Sequence, residues 1–526
     1  MNLSNPPPVS PFLPPSPATR ARARALMFQG TGSDVGKSIL TAALCRILSQ
    51  DGCRVAPFKA QNMSLNSFVT RDDLEMGRAQ VVQAQAAGLD PDVRMNPVLL
   101  KPSSDVGSQV IVMGRPVGNM KVAEYIRYKP QAMAAVRRAY DELAAEYDLI
   151  ILEGAGSPGE INLKHHDIVN MEMARHAAAP VLLVGDIERG GVFASLVGHF
   201  ELMDPWEREL LAGYVINRFR GDASLLGPAL EFIAARTARQ VFGVVPFIAD
   251  LGLPQEDSVS FKQGLYTKKA TSAEQICLAI IDLPHIANFT DLEPFLAEPD
   301  VEIHLVRSGE GLGKPDAIIL PGSKNVIADL DFLQRSGLKA AILQVAARGQ
   351  GEIVGICGGF QLLGQRITDP HGLESAGCQV KGLGLLALDT QLAREKTLLR
   401  GNFIHLASGC AVHGYEVHHG CTLSQEAPLL QHDPAATGAK TPWLPAESAG
   451  VGAVASSGLI WGSYLHGIFD ADPFRRWFID RLRQRRGLPA AGRILAAYDL
   501  EPSFSRLAAI VRRSLDMSRI YQLLKL

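Results

Sequence analysis

The apolar residues of the chain fall into short runs that are separated by segments with helical spacing. The first run, Ala25–Gln29, leads through a glycine-rich turn into a predicted helix over Ser38–Ser49. The same helical spacing recurs in Gln131–Glu146. Later runs with the composition of buried strands are Arg54–Phe58, Leu149–Leu152, Val181–Val184, Ala212–Ile216 and Val241–Val245. Strands that alternate with helices predict a mainly parallel, doubly wound sheet.

A second series of the same kind follows a polar, turn-rich stretch. Its runs are Ile276–Ile281, Glu302–Val306, Ala317–Leu320 and Ile353–Ile356. The periodicity is lost between Ile248 and Glu274, which indicates a linker. We therefore predict an α/β protein with two doubly wound, mainly parallel-sheet domains. The predicted divisions are a disordered Pro-rich tail over 1–24, a first domain over 25–250, a linker over 251–273, a second domain over 274–472 and a C-terminal helical extension over 473–526.

Length and composition narrow the class of protein. A chain of 526 residues is too long for one ordinary core, and 47% hydrophobic with 20% charged residues favours buried domains over disorder. Because 52 Lys and Arg nearly balance 54 Asp and Glu, no net field would attract nucleic acid. The seven cysteines include no C-x-x-C pair, which favours a reducing cytoplasm over a disulfide framework. With no secretory signal and no long apolar run, we expect no membrane partner.

A phosphate-binding loop connects the first predicted strand to the first predicted helix. Its backbone N–H groups and the helix dipole can hold phosphate oxygens, with Lys37 at the β- and γ-phosphates of ATP and Ser38 on Mg²⁺. The leading glycine lies one residue earlier than in the standard pattern. A glycine turn with an incidental lysine is the alternative, which the flanking strand and helix disfavour. The nucleotide-binding candidates are Gly30, Thr31, Gly32, Ser33, Asp34, Gly36, Lys37 and Ser38, together with Lys59 and Asn217.

Further polar residues at strand ends belong to the same predicted site. Glu153 ends an apolar strand, where a second Mg²⁺-contacting carboxylate belongs, and Asp34 is a further metal candidate. Lys59 is either a second cation for the phosphates or a solvated loop lysine, and Asn217 either recognises the base or stabilises a turn. Residues expected to shape the phosphoryl and substrate site are Asp167, Asp186 and Arg189.

A cysteine elbow marks the second domain. Cys357 stands between a short apolar strand and a helix, with glycines beside it, where a tight turn exposes the sulfur and the helix N-terminus favours the thiolate. His466 ends another apolar strand and is the predicted base, ahead of its competitors His413, His418 and His419. Backbone N–H groups of Gly322 and Gly358 are predicted to hold an oxyanion. We interpret the remaining cysteines as structural: Cys45, Cys53, Cys277, Cys378, Cys410 and Cys421.

Other segments point to one family when they are taken together. They are Phe58–Ser64, Gly77–Gln80, Asn96–Pro102, Asp167–Met171, Asp186–Phe193, Val215–Asp222 and Tyr415–His418. From Phe28 to about Phe469 the chain resembles the cobyric acid synthase family of cobalamin biosynthesis, in which a dethiobiotin-synthetase-like ATP domain is fused to a class I glutamine amidotransferase domain. The same segments differ in the sister enzyme, cobyrinic acid a,c-diamide synthase.

The resemblance implies a specific reaction. ATP and Mg²⁺ would drive amidation of a corrinoid, adenosylcobyrinic acid a,c-diamide, at its b, d, e and g carboxylates, with L-glutamine as the nitrogen donor. Class I amidotransferases usually carry a glutamate two residues after the catalytic histidine, and Ile468 stands there in this chain. The third member of the Cys–His site is therefore open, with Glu416 near in sequence.

Two other functions remain as alternatives. One is a related corrinoid a,c-diamide synthase of the same architecture. The other is a phosphate-loop NTPase switch that carries a non-catalytic amidotransferase-like module, because the loop alone does not distinguish a switch from a ligase. The intact pair Cys357 and His466 disfavours the switch.

Overall fold

The computed structural model describes residues 22–104, 107–254, 266–269, 271–349, 351–375, 377–433 and 451–526. The predicted disordered tail falls almost wholly on residues 1–21, and much of the predicted linker falls on 255–265. Both of these stretches lie outside the described residues. Within the described part, no helix combines the length and the apolar character that crossing a membrane requires.

The first half of the chain alternates strands with helices. Its strands are β1 Arg24–Gly30, β2 Val55–Phe58, β3 Gln61–Met63, β4 Ser67–Val69, β5 Glu75–Gly77, β6 Val98–Ser104, β7 Gly107–Val112, β8 Arg115–Lys121, β9 Leu149–Glu153, β10 Val181–Asp186, β11 Leu211–Phe219 and β12 Gln240–Pro246. Its helices are α1 Lys37–Gln50, α2 Arg78–Ala86, α3 Val122–Glu146, α4 Met171–Ala177, α5 Val192–Leu202, α6 Pro205–Leu210 and α7 Gly227–Thr237.

The second half begins a new sheet. Its strands are β13 Ile276–Ile281, β14 Val301–Val306, β15 Ala317–Leu320, β16 Glu352–Ile356, β17 Arg366–Thr368, β18 Gln379–Lys381, β19 Leu388–His405, β20 Ala411–Ser424, β21 Ala427–His432, β22 Val451–Val454 and β23 Ile460–Ser463. Its helices are α8 Glu293–Ala297, α9 Val326–Arg335, α10 Leu338–Arg348, α11 Gly358–Leu363, α12 Asp472–Arg485, α13 Glu501–Ser514 and α14 Met517–Leu523.

The main sheet of the first half is parallel, in the order β12-β11-β10-β1-β9-β2. Its central strands are apolar and buried, as strands covered by helices on both faces must be. β1 and α1 each extend one residue beyond both predicted ends. Two small sheets, β3-β6-β7-β8 and β4-β5, are attached to this core.

The second sheet has a parallel half and an antiparallel half. The strands β14-β13-β15-β16-β23 are parallel. β22 and β21 continue the sheet in antiparallel pairing to β19, which forms a long hairpin with β20. The prediction of two α/β domains with parallel sheets is confirmed. The antiparallel half was not predicted, because the charged run Arg394–Lys396 interrupts the apolar alternation in the long strand β19.

The C-terminal segment divides its packing between the two domains. α12 buries Phe474 and Phe478 in the core of the second domain, whereas α13 lies against α1 and buries Phe504, Leu507 and Val511 in the core of the first domain. The chain therefore returns to its first domain after completing the second.

The two halves also touch through β4, β5 and the β19–β20 hairpin. The backbone N–H of Ser67 donates to Asn288 Oδ1 at 2.8 Å. The ring centroids of Phe68 and Tyr415 are 4.8 Å apart. These contacts bring an edge of the first domain next to the second sheet.

Replacing Leu507 by Ala tests whether α13 is part of the first core. Leu507 is 0% exposed, so we expect Leu507→Ala to destabilise the protein by about 2–5 kcal/mol. Denaturant unfolding of the full chain measures this loss. Leu225, which is 78% exposed, supplies the control, and Leu225→Ala should change stability by less than about 0.5 kcal/mol. Equal effects of the two variants would contradict the packing.

Candidate active sites

The residues of the second candidate site follow four parallel strands of the second sheet and lie at one edge of that sheet. Asp291 follows β13, Gly322 follows β15, Cys357 follows β16 and His466 follows β23. Because parallel strands end at the same side of a sheet, residues far apart in sequence meet there. Gly322, Cys357 and His466 line one cavity.

The backbone at Cys357 makes the sharp turn that the sequence predicted. Its φ is 50°, a left-handed value that a cysteine rarely adopts. The neighbouring glycines have no room for side chains, since a Cβ on Gly358 would stand 2.6 Å from the Ser323 nitrogen and one on Gly359 would collide with the Leu320 oxygen. Strain and crowding together fix the sulfur at the start of α11.

His466 has a buried carboxylate partner that the sequence analysis did not identify. His466 Nδ1 lies 2.7 Å from Asp291 Oδ2, and Asp291 Oδ1 accepts from the Gly467 N–H at 2.8 Å. Burial alone would lower the pKa of His466, but the charges of Asp291 and Cys357 outweigh it and raise the pKa to about 10. The ring therefore stays positively charged near neutral pH, and it lines the same cavity as the Cys357 sulfur.

The third member was left open with Glu416 near in sequence, and Glu416 contacts a different histidine. Glu416 Oε2 lies 2.9 Å from Nε2 of His418, whose ring stacks on Tyr464 with centroids 3.6 Å apart. Asp291 occupies the place that was left open. The sequence carried no local signal for Asp291, because it lies ten residues beyond Ile281, the last residue of β13.

The competing histidines have other surroundings. His419 Nδ1 donates to the Ala393 oxygen at 3.1 Å, and its Nε2 accepts from Gln109 at 3.1 Å. Burial lowers the pKa of His419 to about 3 and also lowers the pKa of His413. Their rings are therefore neutral, in contrast to His466.

The phosphate loop lies where β1 ends and α1 begins. Lys37 Nζ donates to the Gly32 and Gly156 oxygens at 2.8 and 3.1 Å, which points the ammonium across the loop. Gly36 has φ of 99°, and a Cβ there would collide with the side chain of Asn217. The Asn217 amide donates to the Val35 oxygen at 2.8 Å, so it holds the loop from the end of β11.

The other predicted nucleotide-binding residues of the phosphate loop lie beside Lys37. Gly30, Thr31, Gly32 and Ser33 run from the end of β1 into the turn, and Ser33, Asp34, Gly36, Lys37 and Ser38 line a large cavity.

Oxygen ligands for a metal ion meet beside the loop. Ser38 Oγ donates to Glu153 Oε1 at 2.8 Å, and Lys59 Nζ donates to the same oxygen at 2.8 Å. Gln83 donates to the other carboxylate oxygen. Burial would raise the pKa of Glu153, but Lys59 and Gln83 hold it below its ordinary value, so the carboxylate is charged. A hydroxyl beside an ionised carboxylate fits Mg²⁺, and Lys59 is not a solvated loop lysine.

Four further candidates are placed around this core. Asp34 is on the outer part of the loop, 3.9 Å from Arg189. Asp186 pairs with Arg218 at 3.0 Å and with Arg189 at 3.6 Å, so it orients the arginines. Asp167 accepts backbone N–H groups at the start of α4, including that of Glu172 at 3.0 Å, which gives it a capping role at the cavity wall.

A cavity of about 1450 Å³ opens from the phosphate loop. Its wall includes Lys37, Glu153 and Asp167 of the first domain, and Tyr266 and Tyr498 of later segments. Single drug-sized ligands occupy pockets of roughly 300–1,000 Å³, so this cavity has room for a nucleotide and a second, bulky substrate. Tyr266, which lies within the predicted linker, donates to Glu293 Oε1 at 2.6 Å and is buried there.

Asp291→Asn tests the charge of His466. Without the carboxylate, the pKa of His466 should fall from about 10 toward its ordinary value, and the ring should lose its proton near neutral pH. Alkylation of Cys357 by iodoacetamide, followed by mass spectrometry, should then slow and become strongly dependent on pH between about 6 and 9, because the positive ring no longer assists the sulfur. Asp331→Asn, on the exposed side of α9, is the control. Identical pH profiles in the two variants would contradict the assignment.

Comparison with known proteins extends over nearly the whole chain. Residues 26–259 match the CobQ/CobB/MinD/ParA nucleotide binding domain, and residues 277–474 match the CobB/CobQ-like glutamine amidotransferase domain. A cobyric acid synthase from Nitratidesulfovibrio vulgaris is 54% identical over 95% of this chain and 97% of its own length. One from Geobacillus kaustophilus is 44% identical over 96% and 98%. The resemblance inferred from the motifs is thereby confirmed: the chain belongs to the cobyric acid synthase family.

Proposed function

We propose that the protein uses ATP and glutamine to amidate the b, d, e and g carboxylates of adenosylcobyrinic acid a,c-diamide, which gives adenosylcobyric acid. The observation that carries the proposal is the presence of two separate reaction sites in one chain, a phosphate loop beside a large cavity and a Cys–His–Asp site beside a small one. Family membership supports the substrate class. All seven cysteines are free, which suits a reducing compartment such as the cytoplasm.

The first site activates the acid. A carboxylate does not react with ammonia, because its oxygen is too poor a leaving group. An oxygen of the substrate carboxylate attacks the γ-phosphorus of ATP, the bond to ADP breaks, and an acyl phosphate forms. Lys37 and the loop amides stabilise the charge on the transferring phosphoryl group. Mg²⁺ held by Ser38 and Glu153 would neutralise further charge, and Lys59 keeps Glu153 ionised and oriented.

The second site supplies the nitrogen. Cys357 Sγ attacks the side-chain amide of glutamine, and the N–H groups of Gly322 and Gly358 receive the oxyanion. His466 gives its proton to the departing ammonia, and a thioester remains on the sulfur. The neutral ring then takes a proton from water, which hydrolyses the thioester to glutamate. Asp291 orients the ring through Nδ1 and stabilises its positive form.

Ammonia must pass between the sites without becoming ammonium, which is not a nucleophile. The small cavity supports a sheltered route, since Lys101 of the first domain lines it together with Cys357 of the second. At the acyl phosphate, ammonia attacks the carbonyl carbon, phosphate leaves, and the amide forms.

A product assay with Cys357→Ala separates the two sites. The variant should lose glutamine-supported amidation by at least about 10³-fold and should retain amidation with added ammonium salt, because only the sulfur is missing. Mass spectrometry of the corrinoid follows each replacement of OH by NH₂.

Lys37→Ala is the complementary variant, and it should lose amidation with either nitrogen donor.

Wild-type protein that consumes ATP and glutamine but leaves every corrinoid carboxyl unchanged would refute the proposal. Amidation of the a and c carboxylates in cobyrinic acid, with none beyond them, would favour the a,c-diamide synthase instead. If the wild-type protein forms no amide with glutamine and none with ammonium salt, the result would favour an NTPase switch.

A balance of products tests the sheltered route. With all substrates present, we expect one glutamate released for each amide formed, because ammonia that escapes into water at pH 7 is protonated and lost to the reaction. Amino-acid analysis and mass spectrometry of the same samples give the ratio. A large excess of glutamate over amide would show that ammonia is not retained.

A further inference from the structure

The cavity beside Cys357 carries charged groups that cleavage of an amide does not use. Lys101, Lys324, Lys396 and Glu374 all line it. Lys101 belongs to β6 of the first domain and Lys396 to β19 of the second, so the wall is built by both domains.

Two of these lysines share one buried carboxylate. Lys101 Nζ donates to Glu75 Oε1 at 2.9 Å, and Lys396 Nζ donates to Glu75 Oε2 at 2.5 Å. The side chains of Glu75, Lys101 and Lys396 are 0%, 5% and 4% exposed. Lys101 also donates to Ser67 Oγ at 2.9 Å. The bridge therefore closes the cavity where the two domains meet, and it leaves a surplus of positive charge.

Lys324 adds to that surplus. It follows the oxyanion glycine Gly322 by two residues, and its backbone N–H donates to the His285 oxygen at 2.9 Å. Among the described residues, its ammonium has neither a hydrogen bond nor an ion pair within 4 Å. Burial and the charge of Lys101 lower the pKa of Lys324, and burial lowers the pKa of Lys396 to about 7. Burial is the largest cause of both pKa shifts, and the carboxylates of Glu75 and Glu374 offset the shift of Lys324 only in part.

Glu374 is the opposite charge on the same wall. Its Oε2 accepts from the Ile327 N–H at 3.2 Å, and burial raises the pKa of its carboxyl to about 7. A positive group brought to this carboxyl would favour its ionised form. The cavity thus presents an unpaired ammonium and a partly ionised carboxyl on the side facing Cys357.

We propose that this wall recognises the amino-acid head of the nitrogen donor, with Lys324 binding the α-carboxylate and Glu374 the α-ammonium. The inference rests on the proposed function, since it concerns the substrate that Cys357 attacks there.

The two charges of the amino-acid head of glutamine are complementary to Lys324 and Glu374. A zwitterionic head brings one carboxylate to the surplus cation and one ammonium to the buried carboxyl, so each group of the cavity gains a partner. The side-chain amide then extends toward Cys357 and the oxyanion N–H groups. Because Lys101 closes the cavity from the first domain, the binding site is complete only when the domains are docked.

A set of three amides tests the two contacts separately in the full chain. L-Glutamine has both charges, L-glutaminamide lacks the α-carboxylate, and glutaramate lacks the α-amino group. Release of ammonia gives kcat/KM for each. Lys324→Met should lower kcat/KM about 10- to 100-fold for glutamine and glutaramate and leave glutaminamide unchanged. Glu374→Gln should lower it for glutamine and glutaminamide and leave glutaramate unchanged.

Matched controls are Lys381→Met and Glu395→Gln, whose side chains are exposed in the same domain. The rate of Cys357 alkylation by iodoacetamide, which has no amino-acid head, shows that the site of each variant is folded, and ammonium-supported amidation shows that the first site is intact.

The inference would be overturned if kcat/KM fell equally for all three amides, or if it fell in neither variant. The proposed function would still stand in that case, provided that the wild-type chain hydrolyses glutamine. A wild-type chain that releases no ammonia from glutamine would overturn both.

Discussion

Both sites depend on one constraint, the common edge at which parallel strands end. In the first sheet, β1 leads into the phosphate loop, β9 ends at Glu153, and Asn217 lies two residues before the end of β11. In the second sheet, β13, β15, β16 and β23 lead to Asp291, Gly322, Cys357 and His466. Strand ends have free backbone groups and open into loops, so polar side chains can converge there without disrupting an apolar core. The interior of each sheet remains apolar, and the chemistry is confined to its rim.

Each site holds a buried charge by pairing it. Glu153 is 1% exposed and is kept ionised by Lys59, while His466 is 1% exposed and is kept protonated by Asp291. An unpaired charge in such positions would be expensive and would neutralise. The pairs therefore set the protonation states that the proposed chemistry needs, a carboxylate for a metal ion and a proton for departing ammonia.

The contact between the domains is part of the second site as well as a structural interface. Glu75 and Lys101 extend from the first domain to Lys396, and Gln109 reaches His419 at 3.1 Å. The long β19–β20 hairpin supplies the other side of these contacts. A separate amidotransferase domain would lack Lys101 and Glu75, so the wall of the small cavity is complete only when the two domains are docked.

The sequence alone determined the fold class, the phosphate loop, the cysteine elbow and the family, because these depend on local patterns: apolar runs, glycines in a turn and a cysteine between strand and helix. Tertiary structure decided which side chains meet. Asp291 and His466 are joined at 2.7 Å across 175 positions, and no spacing rule could select Asp291 over Glu416. Two other features could not be predicted from a linear pattern, because long-range packing creates them. One is the packing of α13 against the core of the first domain, and the other is the cavity wall that Lys101 and Lys396 build from two domains.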